Sequence, residues 1–470
     1  MTQNEITSIA TNEPRSTPHP SEDHEDGNTN GRPAKTRYRW IPQIAAEERA
    51  CVAWAFAWFF FILLSYFTVR PIRETMGIEG GTEQLPHLFM ITFLATLAAV
   101  PIYSALVAKL PRRWLVRVVY HFFAICLILF WIFMQWESES VRMWTARVFF
   151  VWVNVFALFA TSVFWSVLAD LFSSNQAKRL FGLVAAGGTT GAIAGSLVTT
   201  LIAPHLSTSS LLLMPALLLE VGLGCAWRLE RNSAKLAMTG TLQSKPVQNQ
   251  ATGGGVFTGV GAVLRSPYLA AICLFLFLVQ LLGTQLYLQQ ANIVNDAIKD
   301  TASRIQLFAS LDLGVQLLTL FVQTALAGAI LRRLGISFAL AILPVVYGIG
   351  FILLATAPSL SVMVALVIAS RASGYGITVP AREVLFTVVS REQKYKSKNF
   401  IDTVVLRGGD AIAGQVFRGL QAVGVTMTAI NWYAIPLTAV WFVTAWRLGK
   451  RQETLAATQT LAIPQARVSR

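Results

Sequence analysis

Charge is what this sequence has least of: Asp, Glu, Lys and Arg together make up 13% of its 470 residues, about half of the roughly 25% found in an ordinary globular chain. A water-facing surface along most of the chain is thereby excluded. Cysteine is equally sparse. Cys51, Cys126, Cys225 and Cys273 all sit inside apolar runs and none belongs to a CxxC pair, which excludes a disulfide scaffold and leaves them as small buried hydrophobes. Glycine shows no triplet period, so the chain is not collagen-like. The five histidines are scattered, His19 and His24 in a polar N-terminal stretch and His87, His121 and His205 near the ends of different apolar runs. There is no GxxxxGKS/T phosphate loop and no zinc-ligand spacing, so no catalytic residue, metal or cofactor is expected and the chain does not read as an enzyme. The N-terminus also lacks a charged segment followed by an apolar core, and its acids Glu5, Glu13, Glu22, Asp23, Glu25 and Asp26 argue against an organelle transit sequence.

What the sequence does have is apolar length. Hydrophobic residues fill 54% of it, enough for about a dozen spans of about 20 residues each. Apolar runs fall at 51 to 69, 86 to 108, 118 to 135, 146 to 168, 180 to 203, 209 to 227, 267 to 289, 304 to 331, 336 to 357, 360 to 389, 398 to 425 and 430 to 448. The expected fold is an all-α membrane protein of twelve transmembrane helices in two pseudo-symmetric six-helix halves. Residues 1–44, with Pro14, Pro18, Pro20 and Pro33 among polar neighbours, read as a disordered cytoplasmic tail. The one long connection, 228–266, contains Gly253, Gly254 and Gly255 and reads as a cytoplasmic linker between an N-terminal half at 45–227 and a C-terminal half at 267–448. Residues 449–470 read as a second cytoplasmic tail.

A net charge of +14 would suit nucleic acid in a soluble protein, but the basic residues are distributed otherwise. Of the 38 Lys and Arg, 28 lie in the two tails, the linker and the alternate short connections on the same side, whereas the opposite connections hold six: Arg70, Arg73, Arg142, Arg147, Lys299 and Arg304. The positive-inside rule then puts both termini in the cytoplasm, and no nucleic-acid partner is needed. An internal repeat supports the six-plus-six division. Lys178 and Arg179 precede Gly187-Gly188 and Ala192-Ile193-Ala194-Gly195, as Lys396 and Lys398 precede Gly408-Gly409 and Ala411-Ile412-Ala413-Gly414. Two parallel repeats of six helices separated by a long cytoplasmic loop form the plan of the major facilitator transporters.

A charge near the bilayer centre costs from about 2.5 kcal/mol upward, so each one needs a partner or a water-filled cavity. Arg371 lies near the middle of the tenth run with no acid within four residues. It reads either as an anion contact or as half of a structural ion pair, and Asp312 and Asp410 are the acids placed to meet it across the bundle. Both are candidates for coupling to an ion. Arg407 and Asp410, three apart, can pair on one helix face. Arg70 and Glu74, at the end of the first run, have the i, i+4 spacing of a local pair; Pro71 interrupts the regular turn, and Arg73 is left to point elsewhere, toward a solute or out to the headgroups. Asn154 on the fourth run and Gln316 on the eighth are further candidate solute contacts, with Gln280 and Gln285 polar on the seventh. Arg382, Glu383, Lys396, Lys398 and Asp402 gather near the cytoplasmic ends of the tenth and eleventh runs and read as a gate or loop-anchoring network.

Three stretches carry a family resemblance. Tyr66-Phe67-Thr68-Val69-Arg70-Pro71-Ile72-Arg73-Glu74, then Ala177-Lys178-Arg179-Leu180-Phe181, and Pro380-Ala381-Arg382-Glu383 followed by Lys396-Ser397-Lys398 and Ile401-Asp402 resemble the ATP/ADP translocase family of nucleotide transporters, twelve-span relatives of the major facilitators. The resemblance implies transport of a phosphorylated, anionic solute by exchange or ion coupling, with Arg73 at the position of a required cation on the first helix. The sequence departs from the family's nucleotide carriers where Asn154 replaces an acid on the fourth helix and where Asp410 stands near a lysine position on the eleventh. Both changes point to an altered solute in a free-living bacterial branch.

The sequence thus predicts a secondary active transporter of a small anionic or phosphorylated, nucleotide-like solute, working by alternating access around a central cavity. Its membrane would be a plasma or bacterial inner membrane, and its partners the bilayer, the solute and a counter-solute or protons, with no obligatory protein partner. Two other readings make different demands. A proton-coupled exporter of another small molecule would favour acids over arginines in the cavity, and a non-transporting scaffold would have no cavity and every buried charge paired.

Overall fold

The computed structural model describes residues 44–238, 261, 263, 265–390, 393, 397, 398 and 400–468. The tail before residue 44, most of the 228–266 connection and Lys396 lie outside the described residues. Twelve helices follow the twelve apolar runs. In the first half these are α1 (Arg49–Glu79), α2 (Leu85–Lys109), α3 (Arg112–Met134), α4 (Glu139–Leu171), α5 (Ser174–Ile202) and α6 (Leu213–Met238). In the second they are α7 (Pro267–Ala297), α8 (Thr301–Arg333), α9 (Gly335–Thr356), α10 (Leu360–Val388), α11 (Leu406–Ala422, preceded by Ile401–Val405) and α12 (Met427–Val468).

Ten of these, α1 to α10, are long and apolar enough to cross a membrane. α11 is less apolar because it carries Arg407, Asp410 and Arg418, and α12 because Asn431, Tyr433 and three tryptophans dilute its apolar run. No strand occurs among the described residues. Large apolar side chains such as Phe122, Ile125, Trp144, Leu217, Ile349 and Val440 are exposed on the outside of the bundle, where lipid would cover them.

Three boundaries differ by ten residues or more from those read in the sequence. α1 continues through Pro71 to Glu79, because its surrounding helices hold the turn and Thr75 donates its hydroxyl to the Pro71 carbonyl at 3.1 Å. Arg70, Arg73 and Glu74 are therefore well inside the helix, not at its end. α6 runs eleven residues beyond the expected limit at 227, to Met238. Residues 449–468, expected as a tail, continue α12, whose Glu453 accepts from the Ser337 hydroxyl at 3.3 Å and so ties the extension to the start of α9.

Lipid gives apolar side chains little reason to prefer a neighbouring helix, so close backbone approach and interlocking side chains must hold the bundle. The glycines repeated in α5 and α11 provide that approach. A Cβ built on Gly187, Gly191 or Gly195 would lie no more than 2.6 Å from the carbonyl oxygen of Phe56, Phe60 or Leu64, respectively, on α1. α11 uses the same motif on two neighbours, with Gly409 against Gln280 of α7 and Gly414 against Pro86 of α2. Around the first seam the N-terminal half packs aromatic rings: Trp58 meets Phe164 edge-on at 4.9 Å, and the Tyr120 hydroxyl ties α3 to the Ala160 carbonyl of α4 at 2.9 Å. In the second half, Trp441 lies against Phe275 and Tyr347.

The C-terminal half contains three wide π turns, at Val322–Ala327 in α8, Gly374–Thr378 in α10 and Ile401–Val405 ahead of α11. Such turns free backbone carbonyls and often mark functional regions. One is satisfied across helices, where Gln323 donates to the Tyr375 carbonyl at 3.2 Å.

The halves meet along two symmetry-related seams, α2 against α11 and α5 against α8, with α1 also against α8. Hydrogen bonds and ion pairs joining the halves, both of whose partners are described, lie toward the end of the bundle that holds the α1–α2 and α7–α8 connections, here called the distal face. They are Thr301 to Glu79 at 2.5 Å, Gln415 to the Pro86 carbonyl at 3.0 Å, Gln306 to the Thr200 carbonyl at 3.3 Å, Arg70 to Asp312 at 3.0 Å, and Tyr287 to Glu74. At the opposite, terminal face, the described pairs stay within one half, as in Arg179 with Glu48 at 2.6 Å.

Gly191→Val drives two methyl groups into the α1 backbone, and overpacking of this kind costs about 1–3 kcal/mol. The expected outcome is a clearly lower detergent melting temperature than that of Gly182→Val, at which a Cβ meets nothing within 4 Å. Equal melting temperatures would show that the seam is not tight.

Candidate functional site: a charged central cavity

A cavity of about 630 Å³ lies between the halves, lined from α1, α2, α4 and α5 on one side and from α7 to α11 on the other. Its lining includes Arg70, Arg73, Arg371, Arg407, Asp410, Asn154 and Gln316, together with the aromatic residues Tyr66, Phe67, Phe89, Phe150, Tyr287, Tyr347 and Tyr375. Candidate solute contacts and coupling residues named from the sequence thus come together around one space. The described gate residues, Arg382, Glu383, Lys398 and Asp402, stand apart, at the terminal face.

Three polar groups anchor the cavity. The first joins the halves. Asp312, buried on α8, presents Oδ1 to Arg70 of α1 at 3.0 Å and to Arg371 of α10 at 3.5 Å, while its Oδ2 is buried without a hydrogen-bond partner. Of the two acids read as possible partners of Arg371, it is Asp312 that meets it. In the second group Glu74 receives Arg73 on one oxygen and the Tyr287 hydroxyl of α7 on the other, both in short contacts. Arg73 also donates to Asn154 Oδ1 at 3.3 Å, and Asn154 donates back to its own helix at the Phe150 carbonyl at 2.9 Å.

The expected i, i+4 pair of Arg70 with Glu74 is present, but at 3.9 Å, and each of the two residues has a nearer partner. Arg73, expected to point away, is the arginine that takes Glu74. The cause is the depth of the residues in the bundle: with Asp312 beside it, Arg70 has a nearer partner on another helix, and Glu74 is left for Arg73. Neither arginine snorkels to the headgroups, since both side chains are only 11% exposed. Each guanidinium also lies 5.6 Å from a ring centroid, Arg70 over Phe67 and Arg73 over Phe150, an arrangement that offsets part of its burial.

The third group is on the C-terminal side. Asp410 Oδ1 accepts from Gln280 at 2.7 Å and from Thr284 at 2.8 Å, both on α7, whereas its Oδ2 is 3.9 Å from Arg407. Arg407 is thus the most loosely held of the four arginines and, at 40% side-chain exposure against 21% for Arg371, the most open to the cavity. Sequence reasoning gave it a coupling or ion-pair role and did not count it among the solute contacts.

Several lining residues were not picked out from the sequence, among them Thr284, Tyr287, Tyr347, Tyr375, Thr319 and Gln323. A signal for two sets was present. Gln280, Thr284 and Tyr287 on α7, and Asp312, Gln316, Thr319 and Gln323 on α8, follow steps of three and four along otherwise apolar helices, which puts each set on one face.

At the terminal face Lys398 donates to Glu383 at 2.7 Å, and Arg382 lies 3.3 Å from Glu383 and 3.9 Å from Asp402. These contacts tie the end of α10 to the start of α11 within the C-terminal half. The four cysteines are unpaired, and among the described residues no cluster of His, Cys, Asp and Glu has the composition of a metal site.

The family model of the Major Facilitator Superfamily matches residues 50–397. The chain belongs to that superfamily. The match reaches the superfamily and goes no finer, so the ATP/ADP translocase likeness of residues 66–74 and 380–402 stays a likeness of short stretches. Among curated proteins no sequence match is found. Solved structures of similar fold include a bacterial homologue of the iron transporter ferroportin in an inward-facing state, at a TM-score of 0.60 and 15% identity over 84% of this chain and 98% of that one. A POT family transporter in complex with 5-aminolevulinic acid matches at 0.57 and 11% over 88% and 99%. A point mutant of the nucleoside transporter NupG matches at 0.51 and 16% over 87% and 99%. All three likenesses establish the major facilitator fold, and family and fold together point to a transporter rather than an enzyme.

Removing one member of a buried ion pair strands the other and costs about 3–5 kcal/mol, far more than removing both. Asp312→Ala should therefore lower the melting temperature markedly, and Arg70→Ala added to it should restore part of the loss. A double variant that melts at or below the single one would mean that the two side chains do not stabilise one another.

Proposed function

We propose that this major facilitator is a secondary active transporter of a small organic anion, phosphorylated or nucleotide-like, moved by alternating access across a plasma or bacterial inner membrane. One observation carries the reading: four arginines converge on a cavity between the halves that, among the described residues, holds or adjoins three carboxylates, Glu74, Asp312 and Asp410. A surplus of positive charge in a low-dielectric space favours an anion and disfavours a cation. The seven aromatic rings in the lining add faces on which a planar group can stack.

The asymmetry of positive charge in the connections supports termini in the cytoplasm. With that orientation the described clasps at the distal face would seal the outside, and the cavity would open inward. Arg371 and Arg407, the two more exposed arginines, are the proposed anion contacts, with Asn154 and Gln316 as polar neighbours and Arg73 held back by Glu74. Arg382, Glu383, Lys398 and Asp402 serve as an anchor that lets α10 and α11 move together when the terminal face closes.

The competing readings fit less well. An exporter of cationic compounds would have acids in excess in its cavity. A scaffold would have no such space and would leave neither Asp312 Oδ2 nor Arg73 Nε buried without a partner.

The test is uptake of labelled ATP into proteoliposomes, with and without internal ADP and with an imposed proton gradient. Saturable uptake stimulated by internal ADP is the result expected for a nucleotide exchanger, and Arg371→Ala and Arg407→Ala should each lower it by about tenfold or more, as loss of a desolvated charge contact does. Absence of uptake by correctly inserted protein would remove nucleotides and turn the assay to smaller phosphorylated anions. Unchanged uptake by both arginine variants would overturn the anion site.

A further inference from the structure

Pairs of acidic and basic side chains among the described residues line the central cavity or lie at the terminal face, with one exception. His121 of α3 and Glu220 of α6 meet at 2.8 Å on the outer surface of the N-terminal half, with side chains 52% and 40% exposed. Around them the same two helices expose apolar residues, Val118, Phe122 and Ile125 on α3 and Leu217 and Val221 on α6.

A second contact between these helices fixes the depth of the pair. Arg112 and Arg113, at the start of α3, approach Glu230 of α6 to 3.6 and 3.9 Å at the terminal face. His121 is nine residues along α3 from Arg112, and Glu220 is ten residues along α6 from Glu230. At a rise of about 1.5 Å per residue, both lie about 14–15 Å below that contact, near the middle of a hydrocarbon layer about 30 Å thick. The bond between them engages one ring nitrogen and one carboxyl oxygen, and among the described residues neither side chain makes a second hydrogen bond. The other nitrogen and the other oxygen are left to a medium without donors or acceptors.

Ionisable groups within membrane spans ordinarily turn toward the bundle interior or a water-filled cavity. A pair that turns outward at mid-depth calls for protein where lipid would otherwise lie. Two copies of one multi-spanning chain share an orientation in the membrane, so a twofold axis relating them runs along the bilayer normal and sets each residue against a surface at its own depth. His121 and Glu220, an imidazole and a carboxyl at one depth, are complementary to themselves under that axis. Gly224, one turn from Glu220, is exposed, and a Cβ there would meet nothing within 4 Å, so a second helix can approach the α6 backbone closely at that point.

We propose that the α3–α6 face is the interface of a homodimer, in which His121 bonds both its own Glu220 and the partner's Glu220, closing a ring of four side chains in the middle of the membrane. At the terminal end of this face Arg117 lies over Trp114 at 5.6 Å, and Arg228 and Arg231 lie over Trp227 at 5.4 and 5.6 Å. Their like charges hold the copies apart at the headgroups and leave Glu220 and Gly224 as the place of closest approach. The inference does not depend on what the cavity carries. The face belongs to the N-terminal half, whereas the seams to the other half run along α1, α2 and α5. Pairing therefore holds one half of each copy and leaves the other unencumbered.

Two measurements on the purified full chain test this. In the first, protein carrying one fluorophore per copy is reconstituted in liposomes over a range of protein-to-lipid ratios, and bleaching steps are counted. The native protein should show a two-step population that declines on dilution. His121→Leu combined with Glu220→Leu makes the face wholly apolar; it should melt at or above the native temperature yet dimerise about tenfold or more weakly. Gly224→Leu keeps the pair, adds its side chain in open space and should weaken the dimer likewise, which covers the case of a double variant that folds poorly. Single steps at every ratio in the native protein would overturn the proposal, as they would if a different membrane protein covers this face. A dimer undiminished in both variants would overturn it too. In the second, the four native cysteines are replaced by serine and the membranes are oxidised. Leu217→Cys should form a disulfide-linked dimer and Val440→Cys, on the outer surface of the C-terminal half, should not; the reverse pattern would place the contact on the other half and sink the assignment.

Discussion

One carboxylate between two guanidinium groups sets the terms for the rest of this molecule. Asp312 draws Arg70 from one half and Arg371 from its own toward the middle of a bundle in which an isolated charge costs several kcal/mol. Once Arg70 is committed to Asp312, Glu74 is free for Arg73, and Glu74 in turn brings the Tyr287 hydroxyl across from α7. The halves are thereby joined through polar contacts beside the very space that a solute would enter. In a membrane, where burying apolar surface gives helices little reason to stay together, such contacts and the glycine seams determine which surfaces meet.

The cavity is amphipathic in a specific sense. Its lining combines four arginines, in excess over the neighbouring carboxylates, with aromatic rings that present polarizable faces without adding charge. The proposed solute, a small anion with a planar portion, would satisfy both features at once.

Much of the architecture was legible because membrane spans announce themselves by composition. Twelve apolar runs correspond to twelve helices, and the repeated Ala-Ile-Ala-Gly stretches fell on helices that do pack closely. The limits of α6 and α12 were not legible, since a helix can continue past the bilayer wherever packing supports it, as Glu453 on Ser337 does for α12. The charged residues of the cavity stood out for a similar reason: each is expensive where it is. Their pairing was less accessible. Spacing along one helix favoured Arg70 with Glu74, but a nearer acid on α8 outweighed it, and no single-helix pattern can report a partner on another helix. The tyrosines of the lining were hidden among the many aromatic residues that serve only to fill space or face lipid.

The three π turns all fall in the C-terminal half, while the tightest glycine seam, α5 on α1, belongs to the N-terminal half. The two halves are related by sequence repetition but are mechanically unlike. Helices pressed backbone to backbone resist bending, whereas a wide turn is a place where the axis yields at little cost. The motion that moves a solute would therefore be lopsided, with one half serving as a stiff frame and the other bending its eighth, tenth and eleventh helices around the load.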